Sequence, residues 1–95
     1  MTVKRVVKVP GGKLLKLAVD VQGETLRAVS IRGDFFAYPE EGFDRAESSL
    51  HGVPASEFRS AFEDALAREG VELFGISAAD VAAAFDEVYR DVPSS

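Results

Sequence analysis

The first third of the chain repeats with a period of two, and the second half repeats with the period of a helix. From Val3 to Val9 one side of an extended chain carries Val3, Arg5, Val7 and Val9, and the other carries Lys4, Val6 and Lys8. Valine is β-branched and stiff at χ1, which favours a strand. Pro10, Gly11 and Gly12 break the run. Lys13 to Val21 alternates again, with Leu15, Leu17, Val19 and Val21 on one face. A short Gln22-Gly23-Glu24 connection, with glycine free to take a positive φ, leads to a third strand over Thr25 to Arg32. Arg27, Val29 and Ile31 share one of its faces. The spacing predicts a three-stranded antiparallel meander.

Helical spacing takes over after Tyr38. Pro39 is expected at the first helical position, followed by Glu40 and Glu41 at the positive end of the macrodipole. Phe43, Ala46 and Leu50 form the stripe of this helix, and Gly52 is the expected αL cap. Gly42 inside it costs about 1 kcal/mol relative to alanine. A second helix is expected from an N-cap at Ser56, with Phe58, Ala61, Phe62, Ala65 and Leu66 on one stripe and Gly70 at its end. Val71 to Gly75 reads as a short apolar link. Ser77 and Asp80 form a capping box for a third helix, whose stripe is Val81, Ala84, Phe85, Val88 and Tyr89.

Strands followed by helices predict an α+β fold, with a small N-terminal antiparallel sheet and about three helices packed on one face. The other face, carrying residues such as Lys4, Lys8 or Arg27, is left to water or to a partner, and the two edge strands need protection. The 95 residues fit a single domain, with a core over about 3–91 and a loose tail at 92–95 beyond the helix-stopping Pro93.

Composition narrows the chemistry. The chain has no cysteine and one histidine, which removes disulfides, thiolate catalysis, iron–sulfur clusters and cysteine-based zinc sites, and leaves no expected metal site. The net charge of −5 argues against nucleic acid, whose phosphates demand lysine and arginine. Six of the eleven basic residues (Lys4, Arg5, Lys8, Lys13, Lys16 and Arg27) nevertheless fall in the first 27 positions. Such asymmetry suits either an anionic partner or simply solvated strand faces. No apolar run is long enough to cross a bilayer, and the N-terminus lacks the apolar core of a signal peptide, so a cytoplasmic location is expected.

Few residues offer reactivity. His51 beside Gly52 is most simply a helix-end or surface group, since no Ser-His-Asp or Cys-His set accompanies it. Glu40 and Glu41 are most simply dipole partners rather than an acid–base pair. Pro10-Gly11-Gly12-Lys13 looks only loosely like a phosphate loop, because Leu14-Leu15 continues as a strand and not as a helix. In Gly33-Asp34-Phe35-Phe36 two adjacent aromatics point to opposite sides of an extended chain, so that one can enter the core and the other reach a surface. Phe58, Phe62, Phe85 and Tyr89 read as core. No catalytic residue is nominated.

Taken in order, these segments resemble the C-terminal accessory domain of lipoate–protein ligases. The resemblance rests on Gly11-Gly12-Lys13, a hairpin, Gly33-Asp34-Phe35-Phe36, Pro39-Glu40 opening a helix and Leu50-His51-Gly52 closing it, and it runs over roughly residues 3 to 90. It implies a domain similar in shape to iron–sulfur scaffold and sulfur-acceptor proteins, whose cysteine chemistry this chain lacks. It also implies a stand-alone small subunit, not catalytic alone, forming a heterodimer with a large catalytic ligase subunit. That partner would hold ATP, lipoate and magnesium, make lipoyl-adenylate, and pass the lipoyl group to a lysine of an acceptor domain that this chain meets only indirectly. No cofactor is expected on this chain, and neither nucleic acid nor membrane is an expected partner. The expected surfaces facing the partner's active site are Gly11, Gly12 and Lys13, with Lys13 near ATP phosphates, together with Gly33, Asp34, Phe35 and Phe36. The competing readings are a non-enzymatic interaction module unrelated to lipoate and, more remotely, a small independent enzyme.

Overall fold

The computed structural model describes residues 1–92, so the expected tail lies, from position 93 on, outside the described residues. Three strands, β1 (Thr2–Lys8), β2 (Leu14–Gln22) and β3 (Thr25–Gly33), pair in the order β1-β2-β3, all antiparallel. A two-stranded ladder of β4 (Phe36–Tyr38) and β5 (Glu72–Phe74), and three helices, α1 (Glu40–Ser48), α2 (Phe58–Arg68) and α3 (Ala78–Tyr89), complete the α+β architecture. Helix α3 packs on β1 and β2, α1 packs on β3, and α2 bridges α1 and α3.

The core lies between the sheet and the helices. Leu15, Leu17, Val19 and Val21 of the central strand are all buried, as their shared face requires. Opposite them the helical stripes bring Phe58, Phe62 and Phe85 together. Phe58 stacks on Phe85 with ring centroids 4.0 Å apart and on Phe62 at 5.5 Å, while Phe43 meets Phe62 edge-on at 6.4 Å. Every fully buried side chain among the described residues is apolar. Apolar burial is therefore what fills the space between the two layers, and the hydrogen bonds that join them lie at the margins.

Several local expectations are corrected. Arg27 does not share the inward face of Val29 and Ile31. The register slips between Asp20 and Val21, pairing Asp20 with Ala28 and Val21 with Leu26, so Arg27 is the extra residue of a bulge and stays exposed while Leu26 turns inward. Arg5 is in phase with the buried Val3 and Val7 but remains exposed, its Nε donating to Asp91 Oδ2 at 3.0 Å beyond the end of α3. Its Nη1 also donates to Lys4 O at 2.8 Å, which holds the guanidinium at the surface. Pro39 is the N-cap of α1 rather than its first residue, and the Tyr38–Pro39 bond is cis. Helix α1 ends at Ser48, short of Leu50, and the N–H of Gly52 donates to Leu26 O at 2.7 Å on β3 instead of capping the helix. Ser56 lies inside a 3-10 turn, Ala55–Glu57, that runs directly into α2, so it caps nothing. The segment expected as a link, Val71 to Gly75, contains β5.

Other expectations hold in detail. Gly70 takes φ 66 and α2 ends in a Schellman motif, with Val71 N–H on Leu66 O and Gly70 N–H on Ala67 O. Both arms of the Ser77–Asp80 box are present at 3.1 Å. Gly42 has a packing reason: a Cβ there would lie 2.9 Å from Val71 Cγ2, so the glycine lets α1 approach the chain that leaves α2.

The free edge of β3 is covered in two places. Near its start the 52–55 segment runs alongside, with Leu26 N–H donating to Val53 O. Near its end the Ile31 N–H and the Arg32 guanidinium both donate to Glu47 Oε2 of α1, at 2.7 and 2.9 Å. Burial pushes the Glu47 carboxyl above the ordinary glutamate value, against the Ile31 N–H and then the Arg32 guanidinium, which pull it down. An acid with a raised folded-state pKa adds stability below its unfolded value (about 4.3), and that stability is lost as pH rises through the folded value. The melting temperature of the wild type minus that of Glu47→Gln should therefore fall as pH rises from about 4 toward neutrality, and a difference that is flat or rises would refute this assignment. Phe85→Ala, which empties the centre of the aromatic stack, should lower unfolding free energy by about 3–5 kcal/mol in urea titrations.

Candidate functional site

Two separated stretches of the sequence meet at one end of the sheet. The β1–β2 turn is closed by Val9 N–H donating to Lys13 O at 2.9 Å and Gly12 N–H to Val9 O at 3.1 Å. Gly11 and Gly12 take φ of 91 and 82, a region side chains rarely tolerate. The turn leaves Lys13 exposed. Immediately after it, Leu14 meets the chain leaving β3. Asp34 N–H donates to Leu14 O at 3.0 Å, and Leu14 N–H donates to Asp34 Oδ2 at 3.1 Å. The carboxylate of Asp34 thus prolongs the β2–β3 ladder by one rung and locks the Gly11–Lys13 turn beside the Gly33–Phe36 crossing. Gly33 is obligatory for this contact, because a Cβ there would lie 2.2 Å from Leu14 O.

Beyond Asp34 the two aromatics part. Phe35 turns inward, half-buried, and its ring meets Phe43 of α1 edge-on at 5.7 Å. Phe36 stays in solvent, 78% exposed. It begins β4 and sits directly opposite Phe74 of β5, while Ala37 opposes Leu73 and Tyr38 opposes Glu72. The period of two therefore sorts the ladder: Ala37 and Leu73 pack on the core, and Phe36, Tyr38 and Phe74 face outward. Tyr38 is 73% and Phe74 49% exposed, and Glu72, Glu40 and Glu41 stand exposed around them. Three large aromatics contiguous on a free surface depart from the scattered apolar exposure usual in monomers.

Tyr38 and Phe74 were not legible as part of this surface. Three-residue strands are too short for an alternation pattern, and the one local signal is that Val71 to Phe74 lies between two positive-φ glycines, Gly70 and Gly75. Gly75 in turn sits tight against the crossing, where a Cβ would lie 3.3 Å from Asp34 O.

Of the remaining candidates, Glu40 and Glu41 border the aromatic face and His51 lies apart from it. His51 is exposed near the start of β3, with Nδ1 2.7 Å from Arg27 O, so that nitrogen carries the proton and donates to the bulge carbonyl. Glu40 and Glu41 occupy the first turn of α1. Among the described residues no group of three or more His, Asp or Glu side chains is placed to hold a metal ion. No helix among them is long and apolar enough to cross a membrane.

Known proteins supply an independent measure. No protein-family model matches the chain. Lipoate-protein ligase A subunit 2 of Thermoplasma acidophilum is 29% identical over 51 residues, which are 54% of this chain, and the match spans about half (54%) of that relative's own length. A chain of a solved structure, described as an archaeal lipoylation system with a bi-partite lipoate protein ligase and its E2 lipoyl domain from Thermoplasma acidophilum, superposes with a TM-score of 0.76. That superposition covers 90% of this chain and 94% of the other at 26% identity. The chain is thus similar in sequence to lipoate-protein ligase A subunit 2 over about half its length. Its three-stranded sheet and three helices share the fold of that chain of the bi-partite ligase system.

The Leu14–Asp34 join gives this end of the molecule a simple mechanical test. Gly33→Ala should lower unfolding free energy by at least about 3 kcal/mol, since a backbone carbonyl blocks the new methyl and the φ of 151 is strained. Gly11→Ala, with nothing within 4 Å of its Cβ, should lower it by only about 1–2 kcal/mol through its φ of 91. Equal losses from the two in chemical denaturation would show that the join does not hold the loops.

Proposed function

We propose that this chain is the non-catalytic accessory subunit of a two-chain lipoate–protein ligase, acting in the cytoplasm beside a large catalytic subunit. In this reading the large subunit binds ATP, lipoate and magnesium and forms lipoyl-adenylate, and the lipoyl group then passes to a lysine of an acceptor domain. The observation that carries the proposal is the match in fold over 94% of a chain from a bi-partite ligase system, together with the sequence relationship to a ligase subunit 2.

The geometry supports an assisting role. The Gly11–Lys13 turn and the Gly33–Phe36 crossing are separated by some twenty positions yet lie side by side, tied through Leu14 and Asp34. A rigid, two-loop edge of this kind suits closure over a partner's active site, where it excludes water and fixes the bound substrates. Lys13 is the one cation on those loops and is free to reach a phosphate. The chain's own contribution would be shape and one positive charge, with the chemistry residing in the partner.

The test is lipoate-dependent pyrophosphate release from ATP by the large ligase subunit of the same organism, measured with and without this chain. Release should rise at least about tenfold when both are present, and Lys13→Ala should reduce that stimulation several-fold by weakening the charge interaction with phosphate. Equal release with and without the chain would defeat the accessory reading. Unchanged stimulation by Lys13→Ala would remove Lys13 from the active-site edge while leaving the reading intact.

A further inference from the structure

The β4–β5 ladder is a small sheet whose outer face no described residue covers. Phe36 and Phe74 form a cross-strand pair there, and Tyr38 extends the same face. Aromatic side chains bury large area at little conformational cost and dominate the energetics of protein interfaces, so a contiguous exposed trio has the composition of an interface centre. Its position is fixed: Ala37 and Leu73 anchor the ladder to the core from below.

The surroundings select the occupant. Glu72 stands across from Tyr38, and Glu40 and Glu41 border the same depression as Phe36, Tyr38 and Phe74. Arg32, the basic residue sharing a groove with Phe36, does not offset these acids, because its guanidinium is held by Glu47 and by Ile31 O. The aromatic centre therefore has an acidic rim. A second copy of this chain meeting the patch about a two-fold axis would set the same acids against each other. Nucleic acid and anionic lipid are repelled by the same charges. A surface that fits brings an apolar cleft for the rings and lysine or arginine at its border, where a guanidinium can also lie over Phe36 or Tyr38.

We propose that the outer face of β4–β5 is the docking seat for a basic, cleft-bearing surface of the large ligase subunit, with Phe36, Tyr38 and Phe74 as its apolar centre and Glu40, Glu41 and Glu72 as its rim. This rests on the accessory-subunit reading and goes beyond it, because it names the surface that binds the partner, which starts at Phe36 where the active-site edge ends.

The experiment measures the affinity of the full chain for the purified large subunit by calorimetry, at low and high salt, alongside pyrophosphate release. Phe36→Ser with Phe74→Ser should weaken binding about 100-fold, the loss typical of removing two central aromatic anchors. Thermal melting and circular dichroism check that this variant keeps its fold. Glu41→Lys with Glu72→Lys leaves the rings in place and should weaken binding about tenfold at low salt, with the gap to wild type closing as salt is raised. If the wild type binds and stimulates release but both double variants bind as tightly as it does, the seat lies elsewhere and this proposal is overturned while the accessory reading stands. If sedimentation shows that the wild type alone is a dimer and the aromatic variant is a monomer, the patch belongs to a second copy and the proposal is likewise overturned. If the wild type neither binds the large subunit nor raises release, the accessory reading fails and the docking proposal falls with it.

Discussion

The rest of the structure depends on covering one face of a three-stranded sheet. Leu15, Leu17 and Val19 of the central strand, with Val3 and Val7 on one side and Val29 and Ile31 on the other, present an apolar surface that water penalises. In a chain this small a single layer of helices has to supply the cover, and the aromatic stack from Phe58 through Phe62 and Phe85 fills the space between them. With no fully buried polar group among the described residues, the arrangement is fixed by shape and volume and not by hydrogen bonds inside the core. The polar work is done at the margins, where Glu47 covers the edge of β3 and the Ser77–Asp80 box starts α3.

That requirement also shapes the end of the molecule where β3 leaves the sheet. To carry the chain from the end of β3 onto the helical layer, Gly33 passes against the Leu14 carbonyl and Asp34 ties itself to the start of β2. Phe35 then drops into the core and Phe36 is left in solvent. The crossing is thus part of the core's architecture and also the origin of its largest exposed aromatic surface. A chain whose only role was to fold would gain by replacing Phe36 and Tyr38 with polar residues, since neither is buried. Their presence is what the proposed docking role would need, and the chain is similar to one chain of a bi-partite ligase system.

With no cysteine and a single histidine bonded to a backbone carbonyl, the chain presents one exposed turn lysine and an exposed aromatic face. In the proposed accessory role such a chain would influence a reaction through the positioning of another protein's groups, by closing space and excluding water.

By itself the sequence determined the element types over most of the chain. The two-residue period of Val3–Val9 and Leu15–Val21, and the helical spacing of Phe58–Leu66 and Val81–Tyr89, each match a structural period over many residues, and only one face of each can be apolar. It also determined the positions of several stops, because Gly70 and the Ser77–Asp80 box act through local backbone geometry. The tertiary structure alone decided the bulge at Arg27, which depends on the register of β3 against β2 and not on either strand in isolation. It alone turned the 71–75 segment into a strand, since three residues carry no period and Phe74 becomes extended only because Phe36 lies opposite it. And it alone brought the Gly11–Lys13 turn beside Gly33–Phe36 and gathered Phe36, Tyr38 and Phe74 on one face. Contacts between residues far apart in the chain are set by how the layers pack, and packing leaves no local mark at either position.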